Sequence, residues 1–186
     1  MWYVIQVKTG EESGIARKLK SQSIRAEVPI ENRPIRTGGA WTKKEYILFP
    51  GYVFLDMDFT ARNYYRVKEV PGVIRFLGDS KAPSTLSYLE AEWIRILSGN
   101  GEPLEPTLVR EDGSGGITVI SGVLKQLENR VLKWDKRSRK ATFEITICGE
   151  ARQVQLGIEV ESGGELQESG SDASQEAAQP ILQDAT

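Results

Sequence analysis

Hydrophobic and polar residues alternate with a period of two in several stretches of the first half of the chain, a pattern typical of β-strands. The strands predicted from it are 2–8, 27–36, 41–48, 52–57 and 73–77. A period near 3.6 predicts helices over 11–23 and 60–70, and a third helix that begins at the capping box formed by Ser87 and Glu90. The order β-α-β-β-α-β-α predicts an α+β fold, in which helices pack against an antiparallel sheet.

The second half of the chain alternates in shorter stretches separated by turn residues. The strands predicted there are 117–121, 129–134, 140–148 and 152–156. They predict a small β-barrel over residues 117–160. Residues 99–116 are rich in glycine, proline and acids, which predicts a linker between this barrel and an N-terminal domain of residues 1–98. Residues 161–186 contain almost no large apolar side chain and are expected to form a disordered acidic tail.

The stretch Ile47 to Leu55, with the sequence ILFPGYVFL, interrupts a strand pattern at Pro50-Gly51. Proline lacks a ladder donor and glycine permits a bulge, so we expect an edge or bulged backbone that turns the surrounding aromatic side chains outward as a docking patch. The residues predicted to form this patch are Phe49, Pro50, Tyr52, Phe54, Leu77, Ile94 and Leu97. The alternative, that Phe54 and Ile94 belong to the core, stays open.

Composition excludes most enzyme classes. The 186 residues include no histidine, which removes the commonest general acid–base group and transition-metal ligand. Cys148 is the single cysteine, so no intrachain disulfide can form, as is typical of a reducing compartment. The chain has no apolar run of about 18 residues and no signal-peptide pattern at its start. We expect a cytoplasmic protein without catalytic residues, cofactor, metal site or membrane segment.

The net charge of −2 is unevenly distributed along the chain. Residues 1–110 carry a net charge of +3, and residues 117–160 carry +3 as well. Residues 161–186 contain six acids and no base. The sequence therefore predicts a mildly basic folded body followed by an acidic tail.

Several motifs stand in the order found in the NusG family of transcription elongation factors. They are Trp2-Tyr3-Val4-Ile5-Gln6, Phe49-Pro50-Gly51-Tyr52-Val53, Pro71-Gly72-Val73, Phe76-Leu77-Gly78, Pro83 and a helix that begins near Leu86-Ser87. Residues 1–98 resemble the N-terminal (NGN) domain of that family, and residues 117–160 resemble, more weakly, its small SH3-like KOW domain. The resemblance implies a factor without catalytic activity or cofactor, whose N-terminal domain binds the clamp helices of the largest RNA polymerase subunit and disfavours pausing and termination. We expect it to act as a monomer.

The resemblance also implies that a basic surface of the N-terminal domain faces upstream or non-template DNA. The candidates for this surface are Lys8, Arg17, Arg33, Arg36, Lys43 and Lys44. Trp41 lies among the cations of the hairpin arm and can stack on a base. The alternative is an ordinary solvated charged face, since Glu31 and Glu45 lie between these cations.

The C-terminal module departs from the KOW pattern. Residues 121–124 read Ser-Gly-Val-Leu where the family has a Gly-Pro-Phe turn, and Arg130 replaces the KOW glycine. Cys148 stands where housekeeping members carry the aromatic residue that holds ribosomal protein uS10, and Glu150 replaces a positive residue. The resemblance therefore does not extend to contacts with uS10 and Rho.

A cluster of cations around one indole is found in this module instead, and such a cluster is typical of an RNA-binding surface. The candidates are Lys125, Arg130, Lys133, Trp134, Lys136, Arg137, Arg139 and Lys140. We predict that nascent RNA, with a hairpin as the expected element, recruits the protein for processive antitermination, as in specialised LoaP-type paralogues. An ordinary charged hairpin is the alternative for the residues themselves.

Two further functions stay open. One is a housekeeping factor that couples transcription to the ribosome or Rho, and the other is an RNA-binding module without polymerase contact. The β-branched residues of the C-terminal module, such as Val131 and Ile145, favour a β fold over the helical hairpin of RfaH-type paralogues. A switch between the two folds is left open as well.

Overall fold

The computed structural model describes residues 1–79 and 82–161. Three α-helices occur there: α1 (Glu12–Ser21), α2 (Ala61–Lys68) and α3 (Tyr88–Leu97). The strands are β1 (Trp2–Val7), β2 (Arg25–Glu27), β3 (Ile30–Thr37), β4 (Ala40–Ile47), β5 (Tyr52–Asp56), β6 (Val73–Phe76), β7 (Thr107–Glu111), β8 (Ile117–Ser121), β9 (Val131–Asp135), β10 (Lys140–Ile147) and β11 (Glu150–Val160). The α+β class is confirmed, and the boundaries of most predicted elements differ by a few residues.

An antiparallel sheet in the order β2-β5-β1-β6 forms the centre of the N-terminal domain. On one face, Tyr3, Ile5 and Val7 of β1 belong to a buried cluster that includes residues of α1 and α2. On the other face, Trp2 and Val4 belong to a second cluster with residues of α3. Burial on both faces explains why β1 reads WYVIQV rather than a strict alternation of apolar and polar residues.

Strands β3 and β4 form the hairpin predicted for residues 27–48. They pair over eight positions, from Ile30 with Ile47 to Thr37 with Ala40. Gly38 and Gly39 both have positive φ, as the two-residue turn that matches strand twist requires. This hairpin is separate from the four-stranded sheet and contacts β11 of the C-terminal domain.

The predicted bulge at Pro50-Gly51 is wrong, because residues 48–51 form a turn that ends β4 and leads into β5 of a different sheet. Gly51 has a φ of +83°, and the Tyr52 N–H donates to the Phe49 carbonyl at 3.1 Å. Proline and glycine together favour such a reversal as readily as a bulge.

The C-terminal domain is a five-stranded sheet in the order β8-β7-β11-β10-β9, which fits a KOW or SH3-like barrel. The expectation that residues 99–116 form only a linker is wrong at β7, which pairs in parallel with β11 and antiparallel with β8. Thr107 and Val109 are fully buried, and this short alternation is hidden between glycine-rich and acidic segments. The predicted disordered tail lies outside the described residues from position 162 onward.

Among the helices within 1–79 and 82–161, none is long and apolar enough to cross a membrane.

Candidate functional site at the domain interface

The C-terminal domain covers the apolar face of the N-terminal sheet that carries the predicted docking patch. One buried cluster joins residues of the N-terminal domain, such as Val4, Phe49 and Ile94, to residues of the C-terminal domain, such as Phe143 and Ile147. Because these residues form one continuous cluster, the two domains share a single core here. The patch is therefore not exposed in this arrangement of the domains.

The members of the predicted patch differ in their surroundings. Phe54, Ile94 and Leu97 are fully buried, so the expectation that they turn outward is wrong, and Phe49 is also buried, in edge-to-face contact with Phe54 at 5.3 Å. Strand and helix periodicity point these side chains into the space between sheet, α3 and C-terminal domain. Tyr52 is only partly buried.

A cavity of about 220 Å³ remains between the domains beside the Pro50 turn. Its lining from the N-terminal domain consists of Val4, Leu48, Phe49, Pro50, Tyr52, Phe54 and Leu77, and its lining from the C-terminal domain consists of Ile147, Arg152 and Gln153. The structure thus brings five of the seven predicted docking residues together, at a place where the two domains meet imperfectly. Ile94 and Leu97, on α3, do not line this cavity.

Glu12 fixes the turn that presents Phe49 and Tyr52. Its side chain is buried at the start of α1, where Oε1 accepts the Gly51 N–H at 2.7 Å and Oε2 accepts the Gly10 N–H at 2.8 Å. The Gly51 carbonyl in turn accepts the Val7 N–H at 2.8 Å. Sequence analysis missed this role, because an acid in the first turn of a helix is explained by the helix dipole alone.

Two carboxylates of the N-terminal domain accept backbone N–H groups of the C-terminal domain. Glu90 Oε1 accepts the Gly149 N–H at 2.9 Å, and Glu31 Oε2 accepts the Gly157 N–H at 2.7 Å. Gly149 precedes β11 and Gly157 lies near its end, so the two carboxylates hold β11 at two separate points. Such charge-assisted hydrogen bonds, made in partly or fully buried surroundings, are stronger than neutral ones.

The pKa values of the two carboxylates are shifted in opposite directions. Burial raises the pKa of Glu31, although the Gly157 N–H and the adjacent Arg33 guanidinium act against that rise. Burial would also raise the pKa of Glu90, but the hydrogen bonds from Gly149 and Ser87 outweigh it and lower the pKa below the usual value. Glu90 also completes the capping box of α3, so the same side chain caps this helix and contacts the C-terminal domain.

Gly157 lies against β3 more closely than any other residue type would permit. A Cβ atom built there would be 2.5 Å from Pro34 Cδ and 3.5 Å from Arg33 Cα, both in the N-terminal domain. Arg33 donates from Nη2 to the Gln155 carbonyl at 2.9 Å, pairs with buried Glu31 and lies over the ring of Tyr46. The expectation that Arg33 faces DNA is therefore wrong in this state, since its guanidinium is used in the domain contact.

Three arginines of the C-terminal domain lie over aromatic rings of the N-terminal domain. The guanidinium carbon of Arg139 is 4.1 Å from the ring centre of Trp41, and that of Arg130 is 4.6 Å from the ring centre of Trp93. The third pair, Arg152 over Tyr52, is more distant at 5.7 Å. Distances below about 6 Å are within the range of cation–π attraction.

The other predicted DNA-facing cations lie on the surface. Lys8, Arg17, Arg36, Lys43 and Lys44 are all exposed. Lys8 pairs with Glu11 at 3.1 Å, and Lys43 pairs with Glu105 at 2.7 Å and with Glu159 at 3.6 Å. Lys43 thus links the hairpin to both the interdomain segment and β11, and contact with DNA remains a prediction for all five.

The predicted RNA-binding residues do not form one face. Lys133 and Asp135 lie on one side of the β9–β10 pair, whereas Trp134 points to the opposite side and packs against the buried cluster. Lys140 is half-buried and pairs in register with Gly157, which packs against Pro34, so it lies toward the β3–β4 hairpin and near Glu31. Lys136, which pairs with Glu111, and Arg137 are exposed in the turn between β9 and β10. Lys125 lies on a separate 3-10 turn, and Arg130 and Arg139 are turned toward the N-terminal domain.

Sequence analysis also missed Glu31, Glu90, Trp93 and Gly157 as interface residues. The capping-box motif identified Glu90 as a helix cap, and both oxygens of its side chain are used, one for the cap and one for Gly149. Glu31 lies among the cations of a strand, so the sequence fits a solvent-exposed ion pair as well as a buried carboxylate. Gly157 has an ordinary extended backbone, so no turn signal marks it.

Comparison with known proteins places these features in context. The family model described as "Transcription termination factor nusG" matches residues 1–95. The transcription termination/antitermination protein NusG of Helicobacter pylori is 26% identical over 165 residues, which are 83% of this chain and 93% of that protein. That of Buchnera aphidicola is 29% identical over 167 residues (83% and 91%), and that of Yersinia pestis is 29% identical over 174 residues (87% and 96%).

A solved structure is similar in fold. It is described as "Domain interaction in Thermotoga maritima NusG" and matches with a TM-score of 0.51 at 23% identity. The match covers 84% of this chain and 93% of the other chain. At this identity the similarity concerns the fold alone.

Proposed function

This chain belongs to the NusG family of transcription termination/antitermination proteins, and on that premise we propose that it binds RNA polymerase through its N-terminal domain and promotes processive antitermination. The partner is the pair of clamp helices on the largest polymerase subunit. The contact surface is the apolar face around Phe49, Pro50, Tyr52 and Leu77. The match of the family model to residues 1–95 is the observation on which this proposal rests.

The packing of the N-terminal domain supports this assignment. Its other buried cluster is made only of N-terminal residues, from Tyr3 to Phe76, so it does not depend on the C-terminal domain. The face around Phe49 takes its cover from the C-terminal domain instead. Departure of that domain would leave a large apolar patch unpaired, and such patches mark protein-binding surfaces.

Polymerase binding is tested with Tyr52→Ala in a chain that also carries Gly157→Ala, so that the C-terminal domain does not mask the surface. Binding to a purified clamp-helix fragment is measured by calorimetry. We expect Tyr52→Ala to weaken binding about tenfold or more, as the loss of a central interface aromatic does. Tyr88→Ala in the same background is the matched control, because the Tyr88 side chain is 82% exposed on α3. Equal affinities of the two variants would contradict the proposal.

The C-terminal domain is proposed to bind RNA, which makes the protein a specialised member of the family rather than a housekeeping one. Lys133 on β9, and Lys136 and Arg137 in the turn between β9 and β10, supply exposed cations. At the position expected to hold uS10, Cys148 adopts a φ of +51° in a tight turn next to Gly149, which is engaged by Glu90. That turn serves the domain contact, which supports a role other than ribosome coupling.

RNA recruitment is tested by single-round transcription through a terminator, with the natural leader of the transcript present or deleted. We expect read-through to rise with the protein only when the leader is present. Equal read-through on both templates would favour a factor that acts without an RNA signal. Binding of ribosomal protein uS10 to the purified chain would favour the housekeeping alternative.

A further inference from the structure

The three arginine–aromatic pairs are the feature that links the two proposed binding surfaces. Arg130, Arg139 and Arg152 come from the C-terminal domain, and their partners Trp93, Trp41 and Tyr52 come from the N-terminal domain. Arg130 and Arg139 are candidates for RNA binding, and Tyr52 is a candidate for polymerase binding. The closed arrangement therefore uses groups from both surfaces.

Resting on the function proposed above, we propose that RNA with unpaired bases competes with the N-terminal domain for Arg130 and Arg139. RNA binding then opens the molecule and uncovers the polymerase-binding face. Each arginine exchanges an indole ring for a nucleobase or a phosphate, so the ligand is a single-stranded segment or the loop of a hairpin.

RNA can replace the interaction that each arginine loses when it leaves its indole partner. A guanidinium plane that lies on an indole has that face occupied, and an unpaired base offers the same kind of aromatic surface. Phosphates add hydrogen bonds to the guanidinium N–H groups that the indole cannot provide. Arg137 and Lys133 are exposed in the closed state, so they supply the first attraction for the RNA backbone.

A duplex does not meet these requirements. The bases of an A-form helix are stacked within a deep, narrow groove, and only backbone groups and minor-groove edges are accessible. A regular duplex would therefore engage the exposed lysines without displacing Trp41 or Trp93. This distinction makes the opening specific to RNA with accessible bases.

RNA binding and polymerase binding are cooperative, because each ligand competes with the closed contact between the two domains. Both ligands bind the open form, so each raises the affinity for the other by the same factor. If nine molecules in ten are closed, complete opening raises the apparent affinity for either ligand about tenfold.

The variant Gly157→Ala is designed to open the molecule without changing any of the three arginines. The added methyl group would meet Pro34 of the N-terminal domain at 2.5 Å, while all three arginines remain in place. The φ of Gly157 lies outside the left-handed region, so alanine is not strained within β11 itself. Gly113→Ala is the matched control, because nothing lies within 4 Å of its added methyl group and its φ is also ordinary.

The test measures anisotropy of a labelled, unstructured 15-nucleotide RNA (a length that spans about one binding site) with the full chain. We expect Gly157→Ala to bind this probe about tenfold more tightly than the unaltered chain, and Gly113→Ala to match the unaltered chain. Arg130→Ala with Arg139→Ala should lose most of the binding in the Gly157→Ala background. An RNA duplex of the same sequence should show no gain from Gly157→Ala.

Trp41→Ala provides a second route to opening. Trp41 lies at the exposed end of the β3–β4 hairpin, so its loss leaves the cores of both domains intact while it frees Arg139. It should also tighten binding of the probe, by a smaller factor than Gly157→Ala, because two arginine–aromatic pairs remain. This variant keeps the proposal testable if Gly157→Ala folds poorly.

Three results would overturn the proposal. They are equal probe affinities for the unaltered chain, Gly157→Ala and Trp41→Ala; an equal gain for single strand and duplex; and absence of probe binding in every variant. Binding of the clamp-helix fragment to Gly157→Ala is measured in parallel. If that variant binds the fragment while any of the three results holds, the competition is wrong and the polymerase assignment stands; if it fails to bind the fragment, the polymerase assignment is wrong.

Discussion

At the scale of single residues, a buried carboxylate sets the geometry of the proposed polymerase contact. Glu12 is only 1% exposed and accepts two backbone N–H groups, one from Gly10 and one from Gly51. These bonds hold the turn that carries Phe49 and Pro50 against the start of α1. Removal of the carboxylate leaves the buried Gly51 N–H without an acceptor, whereas the N–H of exposed Gly10 can turn to water.

We expect Glu12→Ala to lower the free energy of unfolding by about 1–3 kcal/mol, the cost of leaving the buried Gly51 donor unsatisfied. Urea denaturation of the full chain measures this change. Glu11→Ala is the control, since Glu11 makes a surface pair with Lys8 and a surface pair contributes about 0–1 kcal/mol. A loss for Glu11→Ala as large as that for Glu12→Ala would show that Glu12 does not fix the turn.

The lowered pKa of Glu90 predicts a specific pH dependence. A carboxylate whose pKa is lower in the folded state adds stability above its unfolded pKa, and this contribution is lost as the pH falls through the folded value. Glu31 has a raised pKa and therefore acts in the opposite direction. The difference between the unaltered chain and Glu90→Gln isolates the contribution of Glu90.

At neutral pH we expect Glu90→Gln to be less stable by about 1 kcal/mol, because glutamine has one acceptor oxygen where the carboxylate accepts two N–H groups, from Ser87 and Gly149. The two unfolding free energies should begin to converge as the pH falls below 4.5, the ordinary pKa of a glutamate. They should meet only below the lowered pKa of the folded state, where Glu90 is uncharged in both states. Thermal denaturation between neutral and acidic pH measures both chains. A difference that stays constant over that range would mean that the charge of Glu90 does not stabilise the fold.

Residue roles were predictable where one local rule was sufficient. The capping box of Ser87 and Glu90 was read directly from the sequence and is present in the structure. The second use of Glu90, toward Gly149, depends on a contact between residues 59 positions apart. The same limit applies to Phe54 and Ile94, whose apolar character fits an interface and a core equally well.

At the scale of elements, strand β7 shows where the C-terminal domain begins. Gly122, after β8, approaches β7 so closely that a Cβ atom there would be 2.8 Å from Thr107 Cα, and its φ is +105°. The Leu124 N–H donates to Thr107 Oγ1 at 3.3 Å in the same region. Residues 107–111 are therefore part of the packed domain rather than a connecting segment.

We expect Gly122→Ala to destabilise the C-terminal domain by more than about 1 kcal/mol, because alanine is strained at positive φ and meets backbone. Gly113→Ala should change stability by less than about 0.5 kcal/mol, since its methyl group points into open space. Denaturation of the two variants under identical conditions gives the comparison. Similar stabilities would indicate that β7 is not packed against this turn.

The elements themselves were largely predictable because their signals are local. Hydrophobic periodicity located α1, α2 and α3, and the Gly38-Gly39 signal located the β3–β4 hairpin. β7 was missed because its two buried residues, Thr107 and Val109, are too few to stand out beside a glycine-rich segment. The turn at Pro50-Gly51 was read as a bulge because both structures use the same two residue types.

At the scale of the whole molecule, the sequence carries no local signal for the contact between the two domains. The interface is made of glycine N–H groups, carboxylates and arginine–aromatic pairs, and each of these residues has an ordinary explanation within its own element. Arg130 and Arg139 were predicted to bind RNA from their charge, and their partners Trp93 and Trp41 lie in the other domain. Only the fold brings these groups together.

The amides of Gly149 and Gly157 provide the most direct measurement of whether the C-terminal domain covers the proposed polymerase-binding face. Their N–H groups have Glu90 and Glu31 of the N-terminal domain as acceptors, so slow hydrogen exchange at both depends on closure. We predict that both amides are protected in the free chain, in contrast to Gly113. Saturation with the clamp-helix fragment of RNA polymerase should abolish that protection, whereas protection that persists in the bound complex would contradict a shared surface.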